Sequence, residues 1–202
     1  MDGVGIVVVT YNSGGEIGAC LDAAMGRCNA LVVVDNASSD GTLAEVQRRG
    51  ARLIANRANR GFAAAVNQGV AALDCSHILL LNPDAVLLTG LEALRAACDL
   101  PGAAGAGGKT VNPDGTPQVG FMVRQLPSPG VLILEALLLN RVWPDNPLNR
   151  RYRGLGLDYS KRMVVEQPAG AFLMIRRAVW SELGGFDEGF HPLWFELGLG
   201  SA

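Results

Sequence analysis

Four short, uninterrupted apolar runs limit what this chain can fold into: VGIVVVT at 4–10, ALVVVD at 30–35, ARLIA at 51–55 and HILLL at 77–81. Runs of this length without polar alternation suit strands buried on both faces, as in a parallel sheet covered by helices. The stretches between them supply those helices. Phe62, Val66, Val70 and Leu73 recur at helical spacing after Gly61, and Thr42 to Arg49 and Leu91 to Cys98 also read as helix. This alternation predicts an α/β fold, a mostly parallel central sheet flanked by helices and joined by right-handed crossovers.

In such sheets ligands gather beyond the carboxyl ends of the strands. The polar residues that end the runs are therefore expected to face one edge: Thr10, Tyr11 and Asn12; Asp35 and Asn36; Asn56; Asn82 and Asp84. Asp84 is notable because the strand-like ILLL stops abruptly at Asn82-Pro83-Asp84. The same tripeptide recurs at Asn112-Pro113-Asp114, where Gly115 follows and a turn is sufficient explanation. On residue type Asp84 reads either as a local structural residue, capping a helix that starts near Thr89 or tightening a loop, or as a ligand for magnesium or manganese on a diphosphate. Asp35 and Asn36 likewise read either as a site or as the entry to a helix capped by Ser39 or Asp40. Gly61 reads as a site residue or a tight turn, and Asn67 as a site residue or a polar neighbour of a helix core.

The chain has 202 residues, 49% of them hydrophobic, which is enough for one globular domain with a sizeable core. We expect a single domain over 1–202, with a nucleotide-binding half at 1–100 and an acceptor-side half at 101–202. Seventeen basic residues face nineteen acidic ones with no long block of either sign, which argues against a nucleic-acid partner. The four cysteines form no CxxC pair, so a reducing, cytoplasmic setting is expected. Asp2 precedes a short apolar stretch, unlike the cationic start of a signal peptide. GVLILEALLL at 130–139 is too short to span a bilayer and carries Glu135. It reads first as a buried helix and second as a contact with a membrane surface or partner. WPDNPLNRRYRGLG at 143–156 reads as a long irregular loop. Regular structure is expected again in AFLMIRR as a strand and AVWSELG as a helix ended by Gly184.

The common phosphate motifs fail. Gly108-Lys109-Thr110 fits the end of a P-loop, but Ala103 stands at its first position. The dinucleotide fingerprint started at Gly105 meets Thr110 where its last glycine belongs. The first strand leads instead into TYNSGGE.

Taken in order, VVVTYNSG, VVVDNASSDGT, NRGFAAAVNQGV, LLLNPDA and GGFDEGF resemble glycosyltransferase family 2, in particular its bacterial rhamnosyltransferase-like branch. The resemblance implies a GT-A fold that moves a sugar, with inversion, from a nucleoside diphosphate sugar linked to UDP or dTDP, with rhamnose as a candidate. The acceptor would be a saccharide or a lipid-linked molecule of cell-envelope polysaccharide synthesis, handled in the cytoplasm or at the inner face of the membrane. It also implies that Thr10, Tyr11 and Asn12 line the nucleotide site, that Asp35 bonds the pyrimidine with Asn36 beside it, and that Arg60, Gly61 and Asn67 complete the base and ribose pocket. Asp84 would hold the divalent cation, manganese or magnesium, in place of the better known D-x-D.

The family's general base is the Asp of a Glu-Asp pair after the GGFDE stretch; here Glu196 is followed by Leu197. Beyond Glu196 the chain resembles the family no further and reads as truncated or divergent, so Glu196, Asp187 and Glu188 are the acids left as candidate bases. Two rivals follow: a catalytically impaired fragment that binds nucleotide only, and a nucleotidyltransferase. The second would need a Lys or Arg for a triphosphate, which the first strand-loop lacks.

Overall fold

The computed structural model describes residues 2–189. Its elements in chain order are β1 Val4–Thr10, α1 Ile17–Ala24, β2 Ala30–Asp35, α2 Thr42–Arg48, β3 Arg52–Ala55, α3 Phe62–Ala71, β4 His77–Leu81, α4 Glu92–Cys98 and β5 Gly105–Gly107. There follow β6 Val123–Arg124, α5 Pro129–Ala136, α6 Leu139–Val142, α7 Pro147–Tyr152, β7 Gln167–Pro168, β8 Phe172–Arg176 and α8 Arg177–Leu183. Two compact units emerge among the described residues, one of 2–106 and 170–189 and one of 107–169.

The first unit is built on a six-stranded sheet in the order β3-β2-β1-β4-β8-β5. β1 pairs in parallel with β2 and β4, β2 pairs in parallel with β3, and β8 runs antiparallel to β4. The side-chain period of two splits each strand between two cores. Val4, Ile6 and Val8 of β1 join Ile17, Leu21, Val46 and Cys98 of α1, α2 and α4 on one face. Val7 joins Val66, Val70 and Trp180 of α3 and α8 on the other. That is why the runs lack polar alternation: both faces of the central strands are dry.

Helix α3 lies close on the sheet because Gly69 faces β1, where an added Cβ would stand 2.5 Å from Val7 Cγ1. The chain leaving it is tied by one guanidinium, since Arg177 donates to the carbonyls of Val70 in the last turn and of Leu73 and Cys75 beyond it, at 3.4, 2.9 and 2.6 Å. α8 ends at Gly184 in the left-handed region, φ 74°, as the sequence predicts.

In the second unit β6 pairs antiparallel with β7, and α5 packs against α6 and α7. Two expectations are corrected here. The 143–156 stretch holds α7, with Asn146 as N-cap accepting from the Asn149 N–H at 2.9 Å and Pro147 at the first position. The 130–139 run is helical but mostly not buried: it breaks at Leu138, φ 56°, and of its long apolar side chains only Val131 is buried and Leu134 half-buried within the described structure. The Asn112–Asp114 copy is a turn as expected, closed by the Gly115 N–H on the Asn112 carbonyl at 2.8 Å.

Candidate functional site

Parallel pairing puts the carboxyl ends of β1, β2 and β3 in one transverse row, Thr10 opposite Asp35 and Asp35 opposite Ala55. β4 ends on the same side, Leu81 pairing with Val8. The segments leaving that edge are tied to one another. The Asn12 N–H donates to Ser38 Oγ at 2.8 Å, and the Ser39 N–H donates to Asn12 Oδ1 at 2.8 Å. The Gly14 N–H reaches Asp40 Oδ2 at 2.9 Å and the Ser13 N–H reaches Thr42 Oγ1 at 2.8 Å. Asn12 adopts a left-handed φ of 54° to make this exchange. These bonds hold the β1–α1 and β2–α2 loops as one bracket. Bonds from the Thr42 hydroxyl and from the Gly14 and Thr42 amides keep the Asp40 carboxyl below its ordinary pKa.

Asp35 sits at the centre of the row and is 0% exposed. Its Oδ1 accepts from the Thr10 hydroxyl at 2.9 Å and the Ser38 hydroxyl at 2.5 Å, and its Oδ2 accepts from the Ser38 N–H at 2.9 Å. In this arrangement the carboxylate braces the edge from beneath. Asn36 continues the bracing, donating to the Gly61 carbonyl at 3.1 Å and accepting from Asn56 Nδ2 at 3.0 Å. Asn36 therefore ties the ends of β2 and β3 to the start of α3, where Gly61 takes a φ of 83° that disfavours any side chain. Tyr11, 56% exposed, and Arg60 stand open on the same edge.

The turn after β4 is closed by the Ala85 N–H on the Asn82 carbonyl at 3.1 Å. Asp84 is exposed there and makes no hydrogen bond or ion pair among the described residues. It caps nothing, because α4 starts at Glu92 with Leu91 at its N-cap and no side-chain cap bond. Its charge is felt below: burial first, and then Asp84, push the Cys20 thiol up to about 12, while Cys20 Sγ donates to the Asn82 carbonyl at 3.5 Å. No group of three or more potential metal-binding side chains exists among the described residues. One open carboxylate beside the carboxyl edge of the sheet nevertheless fits magnesium or manganese, which are commonly held by one or two protein carboxylates plus substrate phosphates.

Asn67 lies in α3, whose N-cap is Gly61. Its amide donates to the Phe186 carbonyl at 2.8 Å and to Glu188 Oε1 at 2.9 Å, and accepts from the Phe186 N–H at 2.9 Å. Phe186 is further seated edge-on against Trp180, ring centres 5.3 Å apart, so the GGFDE segment is docked on α3 and α8. Asp187 closes a local turn, accepting from the Gly189 N–H at 2.8 Å. Glu196 and Leu197 lie outside the described residues. Asn67→Ala should remove the hydrogen-exchange protection of the Phe186 amide and cost about 1–2 kcal/mol; unchanged protection would show that the ring packing alone holds the segment.

Sequence reasoning missed Ser38, which joins Asp35 to Asn12. Its string, ASSDGT, carries only the signal of a helix entry. That entry exists too, since Asp40 Oδ1 accepts from the Thr42 N–H at 3.0 Å at the start of α2.

Known proteins give this edge a context. The sequence profile of glycosyl transferase family 2 matches residues 5–182. The chain belongs to glycosyltransferase family 2. Within the family it is 34% identical over 215 residues to an N-acetylglucosaminyl-diphospho-decaprenol L-rhamnosyltransferase of Mycobacterium tuberculosis, the match covering 96% of this chain and 68% of that one. Among solved structures it is similar to the mannosyltransferase PcManGT of Pyrobaculum calidifontis, in complex with GDP-Man and Mn2+, with a TM-score of 0.58, 20% identity and coverage of 94% of this chain. It is also similar to S. aureus TarS, with a TM-score of 0.56, 19% identity and coverage of 96% of this chain. The chain spans about half the length of these two structures, 49% and 53%. The fold is that of the GT-A glycosyltransferases.

Proposed function

We propose that this family 2 glycosyltransferase binds a UDP- or dTDP-linked sugar, rhamnose being the leading candidate, and serves its inverting transfer to a lipid-linked saccharide acceptor in cell-envelope synthesis. The observation that carries the reading is the 34% identity, over almost the whole chain, to an enzyme named for rhamnosyl transfer to N-acetylglucosaminyl-diphospho-decaprenol. The setting suits the inner face of the cell membrane, and no helix among the described residues is long and apolar enough to cross it.

In this reading the diphosphate lies over the edge between the Thr10–Asn12 loop and Asp84, with Arg60 and Gly61 flanking the base and ribose. Asp35 is fully buried and accepts three bonds, so it acts as a positioning residue for Thr10 and Ser38, and a pyrimidine N–H would reach it only where its second Oδ2 lone pair is uncovered. A divalent cation held by Asp84 would supply Lewis-acid neutralisation of the departing diphosphate. PcManGT, of the same fold, was solved with GDP-Man and Mn2+. The acceptor hydroxyl attacks the anomeric carbon opposite the diphosphate and must give up its proton to a carboxylate. The candidates are Glu188, whose carboxylate accepts from Asn67, Asp187, which is tied into its own turn, and Glu196.

The test is transfer of labelled rhamnose from its dTDP and UDP donors to a polyprenyl-diphospho-N-acetylglucosamine in the presence of manganese. Leu197 stands where the resemblance places the base, so transfer should run about 10² to 10⁴ slower than by a relative that carries the Asp. Labelled lipid should still accumulate over a day. Its absence with every donor would contradict the reading, and an undiminished rate would assign the proton to Glu196 or Glu188.

A further inference from the structure

Residues 132–143 present an unusual surface within the second unit. Leu132, Ile133, Leu137, Leu138, Leu139, Val142 and Trp143 are all exposed, Val142 by 85% and Trp143 by 62%. A run this apolar is normally core, and scattered exposed leucines need no explanation whereas a contiguous set does.

The reverse side of the same segment is fully engaged. Asn146, 2% exposed, donates to the Trp143 carbonyl and to Asn140 Oδ1, each at 2.8 Å. Asn140 in turn donates to Glu135 Oε2 at 2.5 Å, and buried Asn149 donates to the Pro144 carbonyl at 2.5 Å. A polar network thus pins the α5–α6 break from one side and leaves the leucines facing out.

Charge indicates what the face meets. Arg141 lies in α6, Arg150 and Arg151 lie in α7, and Arg153 follows; all four are exposed, and Asp145 is the single acid between them. Residues 107–169 carry eight basic and five acidic side chains, a net of +3, whereas the rest of the chain carries nine and fourteen, a net of −5. The small overall charge of −2 conceals this asymmetry. Exposed leucines, a tryptophan and clustered arginines are the composition of an interfacial anchor, with apolar side chains and indole entering the headgroup region and guanidinium groups remaining among anionic lipids.

We propose that the α5–α6 face, with the arginines of α6 and α7 beside it, docks the protein on an anionic membrane surface. The proposal deepens the lipid-linked acceptor reading and rests on it for purpose, since an enzyme drawing its acceptor from a bilayer gains from being held there.

Its test needs neither donor nor acceptor, so its failure would leave the transferase reading standing, and failure of transfer would leave this result standing. The chain is sedimented with vesicles of phosphatidylcholine alone and with vesicles containing one third phosphatidylglycerol, and Trp emission is followed with brominated lipid as quencher. Strong partition onto the anionic vesicles is expected, weakened at least tenfold by 0.5 M salt or by neutral lipid. Val142→Ser with Trp143→Ser should lower partition at least tenfold and remove most of the quenching without changing the melting temperature, because both side chains are exposed. A second variant, Arg150→Ser with Arg151→Ser, should lower it through charge alone. No binding to anionic vesicles, or equal binding by all variants, would overturn the proposal. So would a wild-type dimer that the Val142/Trp143 variant converts to monomer without any vesicle binding, because a second copy would then be what covers the face.

Discussion

Asp35→Ala is expected to destabilise the protein by about 3 kcal/mol, far more than loss of a surface cap. The carboxylate is fully buried and accepts from the Thr10 hydroxyl and from both the hydroxyl and the N–H of Ser38. Hydrogen bonds to a charged group contribute about 1.5–3 kcal/mol, and donors left unpaired in a dry site add their own desolvation cost. A helix cap would cost about 1 kcal/mol. Urea unfolding of the wild type and of Asp35→Ala separates the two, with a loss near 1 kcal/mol contradicting the bracing role. Nucleotide affinity, measured on the same variant at low temperature, should fall as well, because Asp35 positions Ser38 and Ser38 holds the Asn12 backbone. Asp35→Asn should be milder, since one amide oxygen can keep the Thr10 bond.

The sheet was legible because its strands are dry on both faces. The expected runs at 4–10, 30–35 and 77–81 coincide with β1, β2 and β4, and α3, α8 and the Gly184 stop fall where periodicity and turn chemistry put them. Helix α1 was not read. Its sequence IGACLDAA is made largely of small residues, which mark a helical face weakly although Ile17, Cys20, Leu21 and Ala24 are all buried. Helix α7 could have been found, because Asn146-Pro147 is an N-cap followed by the residue best suited to a first helical turn. For 130–139 the buried reading stood first and a surface contact second, since periodicity reports a wide apolar face and says nothing of whether another element covers it.

At the site, the polar strand ends were legible as a set because parallel pairing forces them to one edge. Their individual partners were not. Asn67 meets Phe186 and Glu188 across a sequence separation of 119 and 121 residues, and Ser38 looked like part of a helix entry until its hydroxyl was seen between Asp35 and Asn12. Of the uses read for Asp84, the helix cap is excluded by the observed start of α4 at Glu92.

The central claim is that this edge binds a nucleoside diphosphate through a cation on Asp84. It is tested most directly by thermal unfolding of wild type and Asp84→Asn with UDP or dTDP, in manganese and in excess chelator. At 100 times its dissociation constant a ligand adds about 2.7 kcal/mol, roughly 5–10 °C for a chain of this size. The account predicts that shift for the wild type in manganese, most of it lost in chelator, and a small, metal-independent shift for Asp84→Asn, whose side chain is exposed and whose stability without ligand should match the wild type. An equal shift with and without chelator, or an Asp84→Asn protein that responds to manganese as the wild type does, would contradict it.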